Sequence, residues 1–144
     1  MLIATWNVNS IRTRLSQIID WINQVNPDVL CLQETKVMDD NFPVEPFEQL
    51  GYSLEFYGQK SYNGVAIISK IKPENVKKGF NGCTDSNQNS EIFLDQKRLI
   101  SADINGIKII NVYVPNGSSL ESSKFAYKIN WLNCLSSFLD EQEK

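Results

Sequence analysis

Apolar and polar residues alternate along this chain in segments that each suit one kind of element. Met1 to Thr5 is largely apolar and predicts a first strand. Ser10 is placed to cap a helix. Ile11, Leu15, Ile18, Ile22 and Val25 then recur at helical spacing, with Ile19 and Trp21 widening the stripe. Pro27 stops that helix. Val29-Leu30-Cys31-Leu32 follows as a short continuous apolar run, the pattern of a strand buried on both faces. Strand, helix and strand in this order predict a βαβ unit with parallel strands and a right-handed crossover.

Residues 37–50 read as a polar loop holding Pro43 and Pro46. Tyr52 to Tyr57 and Val65 to Lys70 predict two strands joined by the loop Gly58 to Gly64. Residues 72–91 are rich in Lys, Asn, Ser and Asp and predict an exposed excursion. Leu99 to Ile104, Asn105-Gly106 and Ile107 to Val114 form a strong hairpin signal, because Asn-Gly supplies the positive φ values of a type I′ turn. After a polar loop from Pro115 to Ser119, Phe125, Ile129, Leu132, Leu135 and Leu139 predict a second helix, closed by the charged end Asp140 to Lys144. The class is α/β, and no repeat or linker divides residues 1–144.

Composition narrows the chemistry. Neither a signal peptide nor a run of about 20 apolar residues that could span a bilayer is visible, so no membrane partner is expected. Three widely spaced cysteines predict reduced, mostly buried thiols in a cytoplasmic protein. The chain has no histidine, so it cannot itself build a Ser-His-Asp, Cys-His or His-metal arrangement. Hydrolysis would have to use carboxylates, tyrosine, asparagine and a metal. The net charge of −3 argues against an autonomous nucleic-acid-binding module. Yet Arg12, Arg14, Lys36, Lys60, Lys97 and Arg98 lie in or beside predicted loops and form a basic rim.

Glu34 stands at the mouth of the buried strand, where α/β proteins usually bind ligands. A carboxylate there is costly to desolvate without a cation or donor to meet it. It is a candidate ligand for a hard cation such as Mg²⁺, with an ion pair to Lys36 as the plain alternative. Asn7 and Asn9 end the first strand in the same way.

The segments Ile3-Ala4-Thr5-Trp6-Asn7-Val8-Asn9-Ser10 and Val29-Leu30-Cys31-Leu32-Gln33-Glu34-Thr35-Lys36 resemble the start of the exodeoxyribonuclease III family of abasic-site endonucleases, within the DNase I-like metal-dependent phosphoesterases. The resemblance continues at Tyr57-Gly58-Gln59-Lys60-Ser61-Tyr62-Asn63-Gly64 and at Asn111-Val112-Tyr113-Val114-Pro115-Asn116-Gly117. The ordered set covers nearly the whole chain.

The resemblance implies a four-layer α/β sandwich of two packed mixed sheets with helices outside, of which this chain would be the N-terminal half. It implies a Mg²⁺-dependent enzyme, with Mn²⁺ as a substitute, that cuts double-stranded DNA 5′ to abasic sites and trims 3′ ends. Glu34 and Asn7 would serve the metal, and Tyr113 would be catalytic. Asn116, Tyr62, Asn63, Lys36, Arg12 and Arg98 would meet phosphate or DNA. Asn9 stands where some relatives carry an acidic residue.

Family members run longer, adding a Gly-Asp-x-Asn strand end, a Ser-Asp-His turn and a catalytic histidine. None of these is in the chain. The expectation is therefore a half-domain that supplies one sheet with an uncovered inner face, is inactive alone, and is completed by a C-terminal half on a longer or separate polypeptide. The alternatives are a phosphodiesterase of the same superfamily acting on lipid or RNA, and a non-catalytic binding remnant.

Overall fold

The computed structural model describes residues 1–80 and 96–142, and the chain divides into two compact units, Met1–Lys78 with Lys97–Tyr113 and Gly79–Gln96 with Val114–Lys144. The first unit begins with β1 (Ile3–Asn7), α1 (Ile11–Val25) and β2 (Val29–Gln33). The strands β1 and β2 pair in parallel, as a βαβ unit requires. Ser10 caps α1, its hydroxyl accepting from the Thr13 N–H. Asn26, in the left-handed region at φ 52, ends the helix by donating its N–H to the Ile22 carbonyl. Chain reversal thus starts one residue before Pro27.

The strands β3 (Ser53–Tyr57) and β4 (Val65–Ser69) complete a mixed sheet of order β1-β2-β4-β3, with β2–β4 and β3–β4 antiparallel. A second sheet has order β5-β6-β7, from β5 (Glu74–Lys78), β6 (Leu99–Ile104) and β7 (Ile107–Val112). The last two are the Asn105-Gly106 hairpin, both turn residues having positive φ.

The central strands face two cores. Leu30 and Leu32 of β2, with Ala66 and Ile68 of β4, pack against Ile11, Ile18 and Ile22 of α1. Val29 and Cys31, with Val65 and Ile67, pack against Ile100, Ala102, Ile104 and Ile109 of the second sheet. Each fully buried aliphatic side chain contributes about 1.5–3 kcal/mol. The continuous apolar run therefore does mark a strand buried on both faces.

This corrects the expectation of one sheet with an open inner face. The second sheet already covers it, because the hairpin strands bring their own apolar face and need a partner.

Smaller differences have local causes. Segment 37–50 contains a 3₁₀ turn (Asp39–Asn41) and the short helix α2 (Glu45–Gln49), which bury Phe42 and Phe47. The expected excursion begins instead as β5, while residues 81–95 lie outside the described residues.

In the second unit, α3 (Ser123–Gln142) buries Trp131, Cys134 and Phe138, leaving Ile129, Leu132 and Leu139 exposed. The stripe expected there is thus displaced. Phe80 explains this by making edge-to-face contacts with Trp131 and Phe138, at centroid distances of 5.4 and 6.1 Å. Cys31 is free, and burial pushes its thiol up to about 11. Cys134 is disulfide-bonded, which corrects the expectation of three reduced thiols, since wide spacing carries no pairing signal. Among the described residues no helix is long and apolar enough to cross a membrane.

Candidate active site

The strand ends of the first unit are stitched side by side by backbone hydrogen bonds. Val8, Ser10 and Ile11 N–H groups donate to the carbonyls of Gln33, Glu34 and Thr35 at 3.0, 2.8 and 3.1 Å. Thr35 and Lys36 N–H groups donate to Gly64 and Asn63, and the Gly64 N–H donates to Lys97. The Tyr113 N–H donates to the Arg98 carbonyl at 2.8 Å. These bonds align the loops after β1, β2 and β7 with the loop before β4.

That alignment requires unusual backbone. Asn9, Ser10, Glu34, Lys36, Ser61 and Asn63 all have φ between 43 and 87. Such strain in residues other than glycine gathers where surrounding structure over-determines it, often at functional sites. Two glycines make the close approach possible. A Cβ on Gly58 would stand 2.2 Å from the Val37 carbonyl oxygen, and one on Gly64 would stand 2.1 Å from Thr35 Oγ1.

Glu34 is the hub of the resulting cluster. Its Oε1 accepts from Asn7 Nδ2 at 2.8 Å, its Oε2 lies 3.2 Å from Lys36 Nζ, and the Tyr113 hydroxyl bonds to the same carboxylate. Partial burial pushes the Glu34 carboxyl up, but the bonds from Asn7, Tyr113 and Lys36, with the Lys36 charge, outweigh it and hold the carboxyl below its ordinary value. Burial and the Glu34 carboxylate together push the Tyr113 phenol up, against the nearby Arg98. The site thus holds an ionised carboxylate and a protonated phenol in contact. Asn7 uses its Oδ1 to accept from the Asn9 N–H, so it presents its amide nitrogen, not its oxygen, to Glu34.

A second layer lies under these groups. Asn111, 3% exposed, donates Nδ2 to the carbonyls of Leu32 and Ala66 at 2.9 and 2.8 Å. Its Oδ1 accepts from Gln33 Nε2, which also donates to Thr5 Oγ1. Thr5, Gln33 and Asn111 stand one or two positions before Asn7, Glu34 and Tyr113 on their strands. Sequence reading passed over this network, although an Asn inside the apolar run Ile109-Ile110-Asn111-Val112 is its signal.

The other expected residues divide. Arg12 is exposed in the first turn of α1, where a cation is unfavourable to the helix dipole. Arg98 lies 4.6 Å from the Tyr113 ring centroid and donates to the Tyr113 carbonyl. Asn63 is buried at φ 53, its side chain bonded to Gln59. Tyr62, beside it, is 70% exposed. Asn116 belongs to the second unit, where it is exposed and accepts from the Ser118 N–H in an Asx turn.

Among the described residues no group of three or more His, Cys, Asp or Glu could enclose a metal. What the cluster offers is one ionised carboxylate among neutral oxygen and nitrogen groups. That donor set fits one side of a Mg²⁺ site, since Mg²⁺ keeps several waters and takes one or two carboxylates.

The sequence matches the Endonuclease/Exonuclease/phosphatase family over residues 4–104. It is 36% identical to exodeoxyribonuclease III of Haemophilus influenzae, over 99% of this chain and 52% of that protein. The fold superimposes on the 3′ phosphatase NExo from Neisseria, bound to product DNA hairpin, with TM-score 0.89 and 40% identity, covering 100% of this chain and 53% of that one. An AP endonuclease from Archaeoglobus fulgidus gives TM-score 0.86 and 46% identity, covering 98% and 52%. The chain thus spans about half the length of these proteins.

Proposed function

Because this chain belongs to the Endonuclease/Exonuclease/phosphatase family, we propose that it supplies one side of the active site of a Mg²⁺-dependent DNA-repair nuclease, in the manner of exodeoxyribonuclease III. The substrate is double-stranded DNA, cut 5′ to abasic sites or trimmed from 3′ ends. The observation that carries this reading is the convergence of Asn7 and Tyr113, at the ends of β1 and β7, on the Glu34 carboxylate at the end of β2. The exodeoxyribonuclease III and AP endonuclease relatives and the DNA-bound Neisseria homologue support the substrate class.

Glu34 would hold the metal, with Asn7 orienting its carboxylate. The bound cation would screen phosphate charge and stabilise the charge developing in the transition state. Tyr113, kept protonated, can donate its hydroxyl to a phosphoryl oxygen, an oxyanion-type contribution. The exposed Arg12 in the first turn of α1 and the exposed Tyr62 in its loop offer contacts that would position the duplex rather than read its bases, and Lys36, paired with Glu34, would reach phosphate only from the edge of the site. Arg98 acts by packing on Tyr113. The chain has no histidine, and among the described residues no group of three acidic, histidine or cysteine side chains gathers at Glu34 to supply a base. That role falls to a C-terminal half, on a longer or separate polypeptide, so the 144-residue chain alone is inactive.

The test is nicking of a labelled duplex with one abasic site, by this chain alone and with a C-terminal half from a relative, with Mg²⁺ or with EDTA. Metal-dependent nicking only when both halves are present, lost in Glu34→Gln, supports the reading. Nicking by the chain alone would overturn the half-site assignment, and salt-dependent DNA binding without cleavage in either case would favour a binding role.

A further inference from the structure

We propose that Lys36 is a resident counter-cation that occupies the Glu34 site in its metal-free form, and that a divalent cation must displace its ammonium to bind. The inference rests on the reading of Glu34 as a metal ligand.

The polar cluster is closed on itself. The Lys36 ammonium bridges two oxygens, Glu34 Oε2 at 3.2 Å and Asn9 Oδ1. Asn7 supplies the donor for Glu34 Oε1 and spends its own Oδ1 on the Asn9 N–H. Each of these four side-chain oxygens therefore already meets a donor, and a hard cation must compete with it for the oxygen, most directly with the charged ammonium on Glu34 Oε2.

Lys36 is the donor able to leave. Asn7 is held at the end of β1 by both ends of its amide, and the Tyr113 ring is stacked against Arg98. The Lys36 side chain is 29% exposed on a flexible four-carbon stem, so water can receive its ammonium. The left-handed backbone at Lys36, fixed by its N–H bond to the Asn63 carbonyl, returns the ammonium to Glu34 when no other cation is present.

Charge requires the exchange. One carboxylate and one ammonium balance. A divalent ion added beside the ammonium would place like charges within a few ångströms, where repulsion is strong. Asn9 is neutral, so the cluster holds no second carboxylate to accommodate both cations.

The experiment measures Mn²⁺ binding to the chain by the electron paramagnetic resonance of free Mn²⁺, in the wild type and in Lys36→Met, Lys36→Arg and Glu34→Gln. Lys36→Met keeps the stem and adds no backbone cost, since Lys36 already sits at positive φ. The expected result is binding about tenfold tighter in Lys36→Met, roughly 1.4 kcal/mol, with Lys36→Arg close to wild type. If Lys36→Met does not fold, Lys36→Gln carries the same expectation. Equal or weaker binding in both neutral variants overturns the counter-cation, as does an absence of binding in all proteins. Wild-type binding that survives Glu34→Gln overturns instead the assignment of Glu34 as ligand, and the counter-cation with it.

Discussion

Glu34 and Gly64 are held by opposite means. Glu34 takes positive φ against its own preference and is kept there by Asn7, Lys36 and Tyr113. Gly64, at φ +94, takes its backbone freely, and its missing side chain lets Thr35 pass. Gly64→Ala should therefore cost more than the roughly 1–3 kcal/mol of backbone strain alone. Gly106→Ala is the comparison, because Gly106 also has positive φ but no atom within 4 Å of the added Cβ. Urea unfolding of the two variants should show the larger loss at Gly64. Equal losses would mean that the Thr35 contact yields without cost.

The depressed Glu34 carboxyl carries a pH signature. A group whose folded value is lowered adds stability above its unfolded value and loses it as pH falls through the folded one. The stability advantage of wild type over Glu34→Gln should shrink as pH drops from about 6 to about 3. Unfolding midpoints measured along that range will show it, and a constant difference would contradict the depressed value.

At the scale of elements, the site is set by strand ends whose positions depend on Asn111. Its amide lies between β7 and the β2–β4 pair, donating to one carbonyl on each. Asn111→Leu removes both donors, at about 1–3 kcal/mol for each buried group left unsatisfied. It also takes from Gln33, the residue before Glu34, one of its acceptors. The Tyr113 phenol, raised by burial and then by the Glu34 carboxylate, should move part of the way towards its ordinary value, because that carboxylate is no longer held against it. NMR titration of Tyr113 in this variant tests that coupling, and an unchanged phenol would confine Asn111 to stability.

At the scale of the molecule, the two sheets of the first unit cover one another, and among the described residues each ends in strands paired on one side only. β1 and β7 are both edges, and a groove of about 350 Å³ between them is lined by Ile3, Thr5, Gln33, Ile109 and Asn111. Met1, Leu2, Ile3 and Ile107 are exposed along these edges. Long apolar edges template pairing with other chains. The chain alone should self-associate in sedimentation velocity, and Ile3→Lys with Ile107→Lys should restore the monomer. A monodisperse wild-type monomer would show that these edges are blunted in solution.

Much of this protein was legible in local pattern. The apolar run of β2, the stripe of α1 with its Ser10 cap and the Asn105-Gly106 hairpin follow from periodicity and turn chemistry, which act over a few residues. Glu34 and Asn7 were candidates because each ends an apolar strand with a polar group, and Tyr113 because its motif resembles that of the family. What the chain pattern does not contain is contact between distant segments. The covering of the first sheet by the second, the displaced face of α3, the approach of Gly58 and Gly64 to segment 35–37, and the bridge from Asn111 to β2 and β4 all depend on packing between elements far apart in sequence. Hydrophobic burial favours such packing without specifying direction, and close fit and hydrogen-bond satisfaction then select one arrangement. The ion pair of Lys36 with Glu34 was open to the sequence as neighbours two residues apart, whereas Asn9 as the second partner of its ammonium comes only from the folded strand ends.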